Sequence, residues 1–310
     1  MAYNLNLADM DTVSYALKID NICKTYGNKT ILDQVSVIIP QGVVFGILGP
    51  NGSGKTTLLG VILNIIKPNS GSYHWAADNA KGYVPYKIGA LLETPNFYPY
   101  LTAHQNLKII ALIKQYSGAD IDSVLNQLGL GANKDTPFSD YSLGMKQRLA
   151  IAACLLGDPE IIILDEPTNG LDPEGIADVR NLIRLLHRKG KTIIISSHLL
   201  DEIEKVCTHV AVLNKSKLTA SGPVSDVLKT PNIVEVGSNN NTKLFFHLKQ
   251  LWPQAQIVND GDIIRIVCGE TPLNTEEVFW LCTNEGIALN HLQTVKTTIE
   301  KPFFDLIKAN

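Results

Sequence analysis

Apolar residues recur along this chain in two rhythms, one of strands and one of helices. Residues 16–22 alternate apolar and polar side chains, the period-2 pattern of a half-buried strand. Runs rich in β-branched residues at 35–39 and 43–48, bracketed by the turn signal Pro40-Gln41-Gly42, predict two more strands. A helix is expected over residues 56–66, closed by Lys67-Pro68, because proline cannot continue one. Residues 71–93 are turn-rich with short apolar pieces, which predict small antiparallel strands. From residue 103 to about 152 apolar positions fall at helical spacing, with Leu107, Ile110 and Ala111, then Val124, Leu125 and Leu128. Strand character returns at 161–164, 192–196 and 210–213, with a long helix over 173–188 between the first two. Strands alternating with helices predict an α/β fold whose mainly parallel sheet is covered on both faces.

The pattern changes after Gly222-Pro223. A strand at 233–236, a helix at 242–251, strands at 256–258 and 263–268, a helix at 275–285 and a strand at 287–292 follow, then a terminal helix at 298–309. The order βαββαβ is that of a small α+β ferredoxin-like module. The expected organisation is a loose N-terminal tail over 1–15, an α/β domain over 16–223 with a helical subdomain at about 94–152, and a C-terminal accessory domain over 232–310. Whether that last module senses a ligand, steadies a dimer or only packs stays open.

Length and composition fit this division: 310 residues, 45% hydrophobic and 18% charged, suit two ordinary globular domains. The net charge of -3 provides no basic field for nucleic acid. Five scattered cysteines with no CxxC pair read as reduced core thiols rather than a disulfide framework or a zinc site. The first fifteen residues carry Asp9 and Asp11 and no basic stretch before an apolar run, so a secretory signal is not expected. No apolar run approaches the ~20 residues of a membrane-spanning helix.

Two stretches carry chemistry. Gly49-Pro50-Asn51-Gly52-Ser53-Gly54-Lys55-Thr56 fits the phosphate-loop pattern GxxxxGK[ST], placed after an apolar strand and at the opening of a helix. Glycines let the backbone curl so that N–H groups face the β- and γ-phosphates, and the helix N-terminus adds partial positive charge. Gly49, Asn51, Gly52, Ser53, Gly54, Lys55, Thr56 and Thr57 are the candidate nucleotide-binding set, with Lys55 as a point charge and the Thr56 hydroxyl as a Mg²⁺ ligand. A Gly-rich surface turn would give the same string without the flanking strand and helix. The second stretch is a buried strand ending in Asp165-Glu166. Asp165 would hold Mg²⁺ through its water shell, and Glu166 would orient and deprotonate the attacking water. Taken alone, the two carboxylates could equally be a solvated strand end.

Just upstream of that strand, Tyr141-Ser142-Leu143-Gly144-Met145-Lys146-Gln147-Arg148 resembles the signature of the ATP-binding cassette family, Leu-Ser-Gly-Gly-Gln followed by a basic residue, Gln and Arg. It departs from that pattern at Leu143 and Met145. The resemblance runs in the family's order from residue 17 to about 223. It implies that Ser142 and Gly144 meet the γ-phosphate from an opposing subunit, that Asp172 belongs to the D-loop, and that His198 is the switch histidine, acting with Glu166 and Lys55 in catalysis. It implies that Tyr26 stacks on adenine, although a core tyrosine is the other reading. Glu93 stands where the family carries a glutamine, and as a carboxylate it would ligate Mg²⁺ with charge. The aromatics of residues 96–102 fit either a surface that accepts a helix of the membrane subunit or the core of the helical subdomain.

The same resemblance implies a P-loop NTPase that binds and hydrolyses ATP with Mg²⁺. Two copies would sandwich two nucleotides head to tail as a symmetric homodimer. They would work on an integral membrane permease, with the chain cytoplasmic and peripheral on the inner face of the membrane. The strings LLETPNFYPYLTAHQNL and YSLGMKQRLAIA are similar to those of bacterial cassettes for bacitracin resistance and lantibiotic self-protection, which implies export of a peptide antibiotic or similar amphiphile. A cassette acting on ribosomes or DNA is the alternative, against which stand one cassette, no heptad insertion and an acidic balance. A soluble P-loop kinase or GTPase is disfavoured by the signature and by His198.

Overall fold

The structure is a computed structural model that describes residues 14–76, 88–92, 97–116, 120–228, 232–268 and 273–296. The tail before residue 14, Glu93 and the helix expected over 298–309 lie outside the described residues. The chain divides into two compact units, Met1–Val227 and Leu228–Asn310.

In the first unit the elements follow one another as β1 (Tyr15–Tyr26), β2 (Lys29–Pro40), β3 (Val44–Leu48), α1 (Lys55–Ile62), β4 (Ser70–Trp75) and β5 (Ile88–Leu91). Then come α2 (Ala103–Ile113), α3 (Ile121–Gln127), α4 (Leu143–Leu155), β6 (Ile161–Asp165), α5 (Pro173–Arg188) and β7 (Thr192–Ser197). The unit closes with α6 (Leu200–Val206), β8 (His209–Asn214), β9 (Lys217–Pro223) and α7 (Val224–Val227). A six-stranded sheet runs β5-β6-β7-β3-β8-β9 and is parallel throughout except at β8-β9. Strands β3, β6 and β7 are buried at every position, as central strands covered on both faces must be. A smaller antiparallel sheet, β2-β1-β4, packs its apolar side chains into the same core.

Two details correct the pattern read from sequence and a third refines it. Helix α1 stops at Ile62 rather than residue 66, because Asn64 turns left-handed at φ +59° and the N–H groups of Ile65 and Ile66 both return to the Gly60 carbonyl. Of the turn-rich stretch, β4 is antiparallel as expected, but β5 joins the main sheet in parallel beside β6. Among the described residues the helical stretch 103–152 carries three α-helices, the first opened by a capping box in which Thr102 and Gln105 bond each other's backbone N–H.

Helix α6 lies unusually near β3. A Cβ on Gly46 would stand 2.7 Å from Ile203 Cδ1 and 2.9 Å from Cys207 Sγ, so only glycine permits this approach.

The second unit comprises β10 (Asn232–Ser238), α8 (Asn241–Leu251), β11 (Gln256–Asn259), β12 (Ile264–Cys268), α9 (Thr275–Asn284) and β13 (Leu289–Lys296). Its sheet order β11-β12-β10-β13, antiparallel at every pairing, is the ferredoxin-like topology. Val234, Val236, Ile264 and Ile266 pack with Leu244, Leu248, Val278 and Cys282 in its core. Glu235 alternates with those valines onto the other face, where Arg265 Nε and Gln293 Nε2 each donate to it at 2.9 Å.

Candidate nucleotide-binding and catalytic site

The loop after β3 is shaped by its glycines. Gly54 adopts φ +108°, and a Cβ there would fall 2.6 Å from the Ile31 carbonyl oxygen and 2.9 Å from Leu32. Gly54 is also the N-cap of α1 and supplies no capping side chain, so the first-turn N–H groups that every helix leaves unpaired stay available to an anion. Asn51 and Gly52 form the exposed tip, Ser53 and Lys55 are buried, and Thr56 and Thr57 open the helix. The Ser53 hydroxyl is buried without a hydrogen-bond partner. It lies beside Gly49, where a Cβ would stand 2.7 Å from that oxygen and 2.2 Å from the Leu213 carbonyl oxygen, so the turn into the loop requires glycine.

Lys55 Nζ donates to the Gly49 and Pro50 carbonyls at 2.9 and 3.3 Å and lies 3.2 Å from Glu166 Oε1. The second oxygen of Glu166 faces His198 Nδ1 at 2.9 Å. Thr56 Oγ1 donates to Asp165 Oδ2 at 2.7 Å. Ser196 Oγ donates to Asp165 Oδ1 and accepts the Glu166 N–H, the latter at 2.9 Å. Glu166 sits at φ +46°, a left-handed conformation that costs a non-glycine residue on the order of 1 kcal/mol or more. Five predicted residues, Lys55, Thr56, Asp165, Glu166 and His198, thus meet at the carboxyl ends of β3, β6 and β7.

Ser196 was not assigned a role from the sequence. Its position follows from the register of β6 and β7, which sets Asp165 directly opposite Ser196. The only sequence signal is that the isoleucine run of β7 ends in two buried serines, Ser196 and Ser197.

The other candidates stand apart from this cluster. Ser142 and Asp172, both exposed, cap their own helices by accepting N–H groups from Met145 at 3.2 Å and Gly175 at 2.8 Å. Gly144 has open space around its Cβ position. A Cβ on Gly170, two residues before Asp172, would lie 3.4 Å from Leu143 Cδ2, so the signature and D-loop segments adjoin. The Tyr26 ring is 52% exposed with Lys24 Nζ 4.9 Å from its centroid, which places it at the surface and not in the core. Phe97 is buried against Phe138 with ring centroids 5.0 Å apart, whereas Tyr98 and Tyr100 are exposed. The aromatic segment therefore serves the helical subdomain's core and its surface at once.

Among the described residues no group of three His, Cys, Asp or Glu side chains forms a metal cage. Thr56 and Asp165 offer one hydroxyl and one carboxylate. Mg²⁺ accepts so small a hard-oxygen set because it keeps water and phosphate as its remaining ligands.

A phosphate loop on a parallel sheet, with two strand-end carboxylates beside it, defines a P-loop NTPase. The ABC transporter family matches residues 32–169, and the bacitracin transport ATP-binding protein of Enterococcus faecalis is 39% identical over 225 residues, 71% of this chain and 73% of that protein. The chain belongs to the ABC transporter family, as an ATP-binding subunit with ATPase activity. The lantibiotic transport ATP-binding protein of Streptococcus pyogenes is 40% identical over 202 residues, 65% of this chain and 88% of that protein. Among solved structures, the dimeric post-hydrolysis state of an ATP-binding cassette bound to ADP and Pi aligns with a TM-score of 0.59 at 27% identity, covering 67% of this chain and 98% of that one.

Proposed function

We propose that this chain is the motor of an exporter. It would drive a peptide antibiotic or similar amphiphile through a separate membrane permease by hydrolysing Mg-ATP bound between two copies of the chain. The names of the bacitracin and lantibiotic transport relatives support the cargo class, and the dimeric cassette holding ADP and Pi supports the paired assembly. In this reading the permease is a separate subunit that holds the chain to the inner membrane face, as the names of transport ATP-binding relatives suggest; among the described residues no helix is long and apolar enough to cross a membrane.

The observation that carries the chemistry is the Glu166 carboxylate, held between Lys55 and His198 beside the Thr56–Asp165 pair. Before nucleotide arrives, Lys55 neutralises Glu166. Phosphate oxygens then take Lys55 together with the loop N–H groups, which frees Glu166 to accept the proton of the attacking water. His198 orients that carboxylate and faces the γ-phosphate. Thr56 and Asp165 would hold Mg²⁺, which would supply charge neutralisation to the bound phosphates. Ser142, Gly144 and Asp172 lie outside this cluster because their partner is the nucleotide on the second copy. Closure and release of that pair would move the permease.

The test is Glu166→Gln, which keeps the shape and removes the base. ATP affinity should persist, turnover should fall about 10²-fold or more, and an ATP-bound dimer should accumulate on gel filtration. Turnover at the wild-type rate sinks the assignment.

A further inference from the structure

We infer that the ion pair between Arg180 of α5 and Glu202 of α6 positions the switch histidine. By fixing α6 it sets where His198 Nδ1 stands against Glu166, and so sets the rate of hydrolysis. This inference rests on the roles proposed above for Glu166 and His198.

Glu202 is 6% exposed on a helix of only seven residues. Arg180 grips it with both arms of the guanidinium: Nε donates to Oε2 at 3.1 Å and Nη2 donates to Oε1. The pair lines one small space with the apolar Ile183, Ile195 and Val206 and the polar Thr168, Ser196 and Ser197. With Glu202 buried, an ion pair is a poor source of stability, because well-packed apolar residues of the same volume do as well or better. What the pair supplies is direction. A bidentate guanidinium–carboxylate contact fixes both the distance and the angle between the helices that bear it.

Further contacts hold the same short helix. Arg180 Nη2 lies 3.6 Å from Asp201, and Arg184, one turn along α5, donates Nη2 to the Lys205 carbonyl at 2.9 Å. Successive turns of α5 therefore hold α6 near both its start and its end. On its other side α6 seats Ile203 on the bare backbone of Gly46. Gripped from α5 and pressed to β3, α6 has little room to slide.

His198 precedes Glu202 by four residues and is separated from α6 by Leu199 alone, whose N–H is tied to Ser197 Oγ at 2.9 Å. A shift of α6 is passed directly to the imidazole. Helix α5 itself begins at the Asp172 cap, so the pair also joins the D-loop helix to the switch. Arg180 and Glu202 touch no reacting atom in this scheme; they act through His198.

The experiment replaces the pair by apolar residues of similar size, Arg180→Met with Glu202→Leu, in the full chain. Thermal unfolding, ATP affinity, KM and kcat are measured with and without His198→Ala. With positioning lost, the double variant should stay folded and bind ATP as before, while kcat falls about tenfold or more, since small misplacements of a catalytic group are costly. In the His198→Ala background the same two changes should alter kcat by less than about twofold, because residues acting through one another are not additive. A folded double variant with wild-type kcat overturns the inference, as does a loss that multiplies with that of His198→Ala. If His198→Ala alone turns over like wild type, the reading of the switch fails and the inference falls with it.

Discussion

His198 Nδ1 stands 2.9 Å from Glu166 Oε2, and the opposite oxygen of the same carboxylate is taken by Lys55 Nζ at 3.2 Å. One acidic group thus faces two basic ones, Lys55 at the start of α1 and His198 just after β7. Whichever of them is called away by a phosphate leaves the carboxylate to the other and to water.

The first expectation concerns Lys55. Its side chain is buried, and it pairs with the Glu166 carboxylate at 3.2 Å. Lys55→Met removes the point charge meant for the phosphates and leaves Glu166 with His198 alone. ATP affinity should drop about tenfold or more, the scale of one charge-assisted contact. Titration calorimetry with ATP and Mg²⁺ measures it, and unchanged affinity would count against the loop as the phosphate site.

A second contrast separates Gly54 of the phosphate loop from Gly144 of the signature segment. Gly54→Ala forces a Cβ into the Ile31 carbonyl at a left-handed φ, so it should destabilise the fold by about 1–3 kcal/mol and abolish nucleotide binding. Gly144→Ala meets nothing within 4 Å and sits in helix α4, where alanine is the better residue by roughly 0.5–1 kcal/mol. Its stability should hold or rise, yet ATP-dependent pairing of two copies should weaken. Thermal melts and gel filtration with the Glu166→Gln chain separate the outcomes. Normal pairing by the Gly144→Ala protein would remove this glycine from the interface.

Thiol chemistry gives an independent check on the core. Cys154 is buried and its Sγ lies 3.3 Å from the Ala150 carbonyl; burial pushes its thiol up to about 12, and burial likewise raises Cys207. Cys23 is only half-buried. Iodoacetamide at mildly alkaline pH should modify Cys23 while Cys154 and Cys207 react only after unfolding, as read by peptide mass spectrometry. Early labelling of Cys154 would mean that α4 is not seated as described.

The second unit should be acid-sensitive. Hydrogen bonds from Gln293 and Arg265, aided by the charges of Arg265 and His291, hold the Glu235 carboxyl below the usual carboxylate range. A carboxyl with a depressed folded value contributes stability that is complete above its unfolded value, near pH ~4.3, and is lost as pH falls through the folded one. Hydrogen exchange in residues 232–296 should therefore quicken below about pH 4 beyond the intrinsic pH effect. Glu235→Gln should flatten that dependence, and an equal response in both proteins would assign the acid limb elsewhere.

The phosphate loop and the Asp165-Glu166 strand end were legible because their chemistry is local: contiguous residues, a strand before and, for the loop, a helix after. The long alternation of β1 and the isoleucine runs of β6 and β7 were legible for the same reason. Strand β9 was not, since Lys217–Pro223 is an edge strand without an apolar face to announce it. Helix α6 is too short to show a period. Ser196 against Asp165, and Arg180 against Glu202, depend on register and helix packing between segments 31 and 22 residues apart, which no single stretch of sequence encodes. Ser142 and Asp172 each open a helix by accepting a backbone N–H, but what each faces beyond its own chain is not written in one copy.

The left-handed backbone at Glu166 carries a last consequence. Asparagine or glycine would sit in that bend at lower cost, and either would delete the carboxylate. A search for heat-resistant variants would therefore be drawn to position 166, and its winners there would be sturdy proteins with an idle engine.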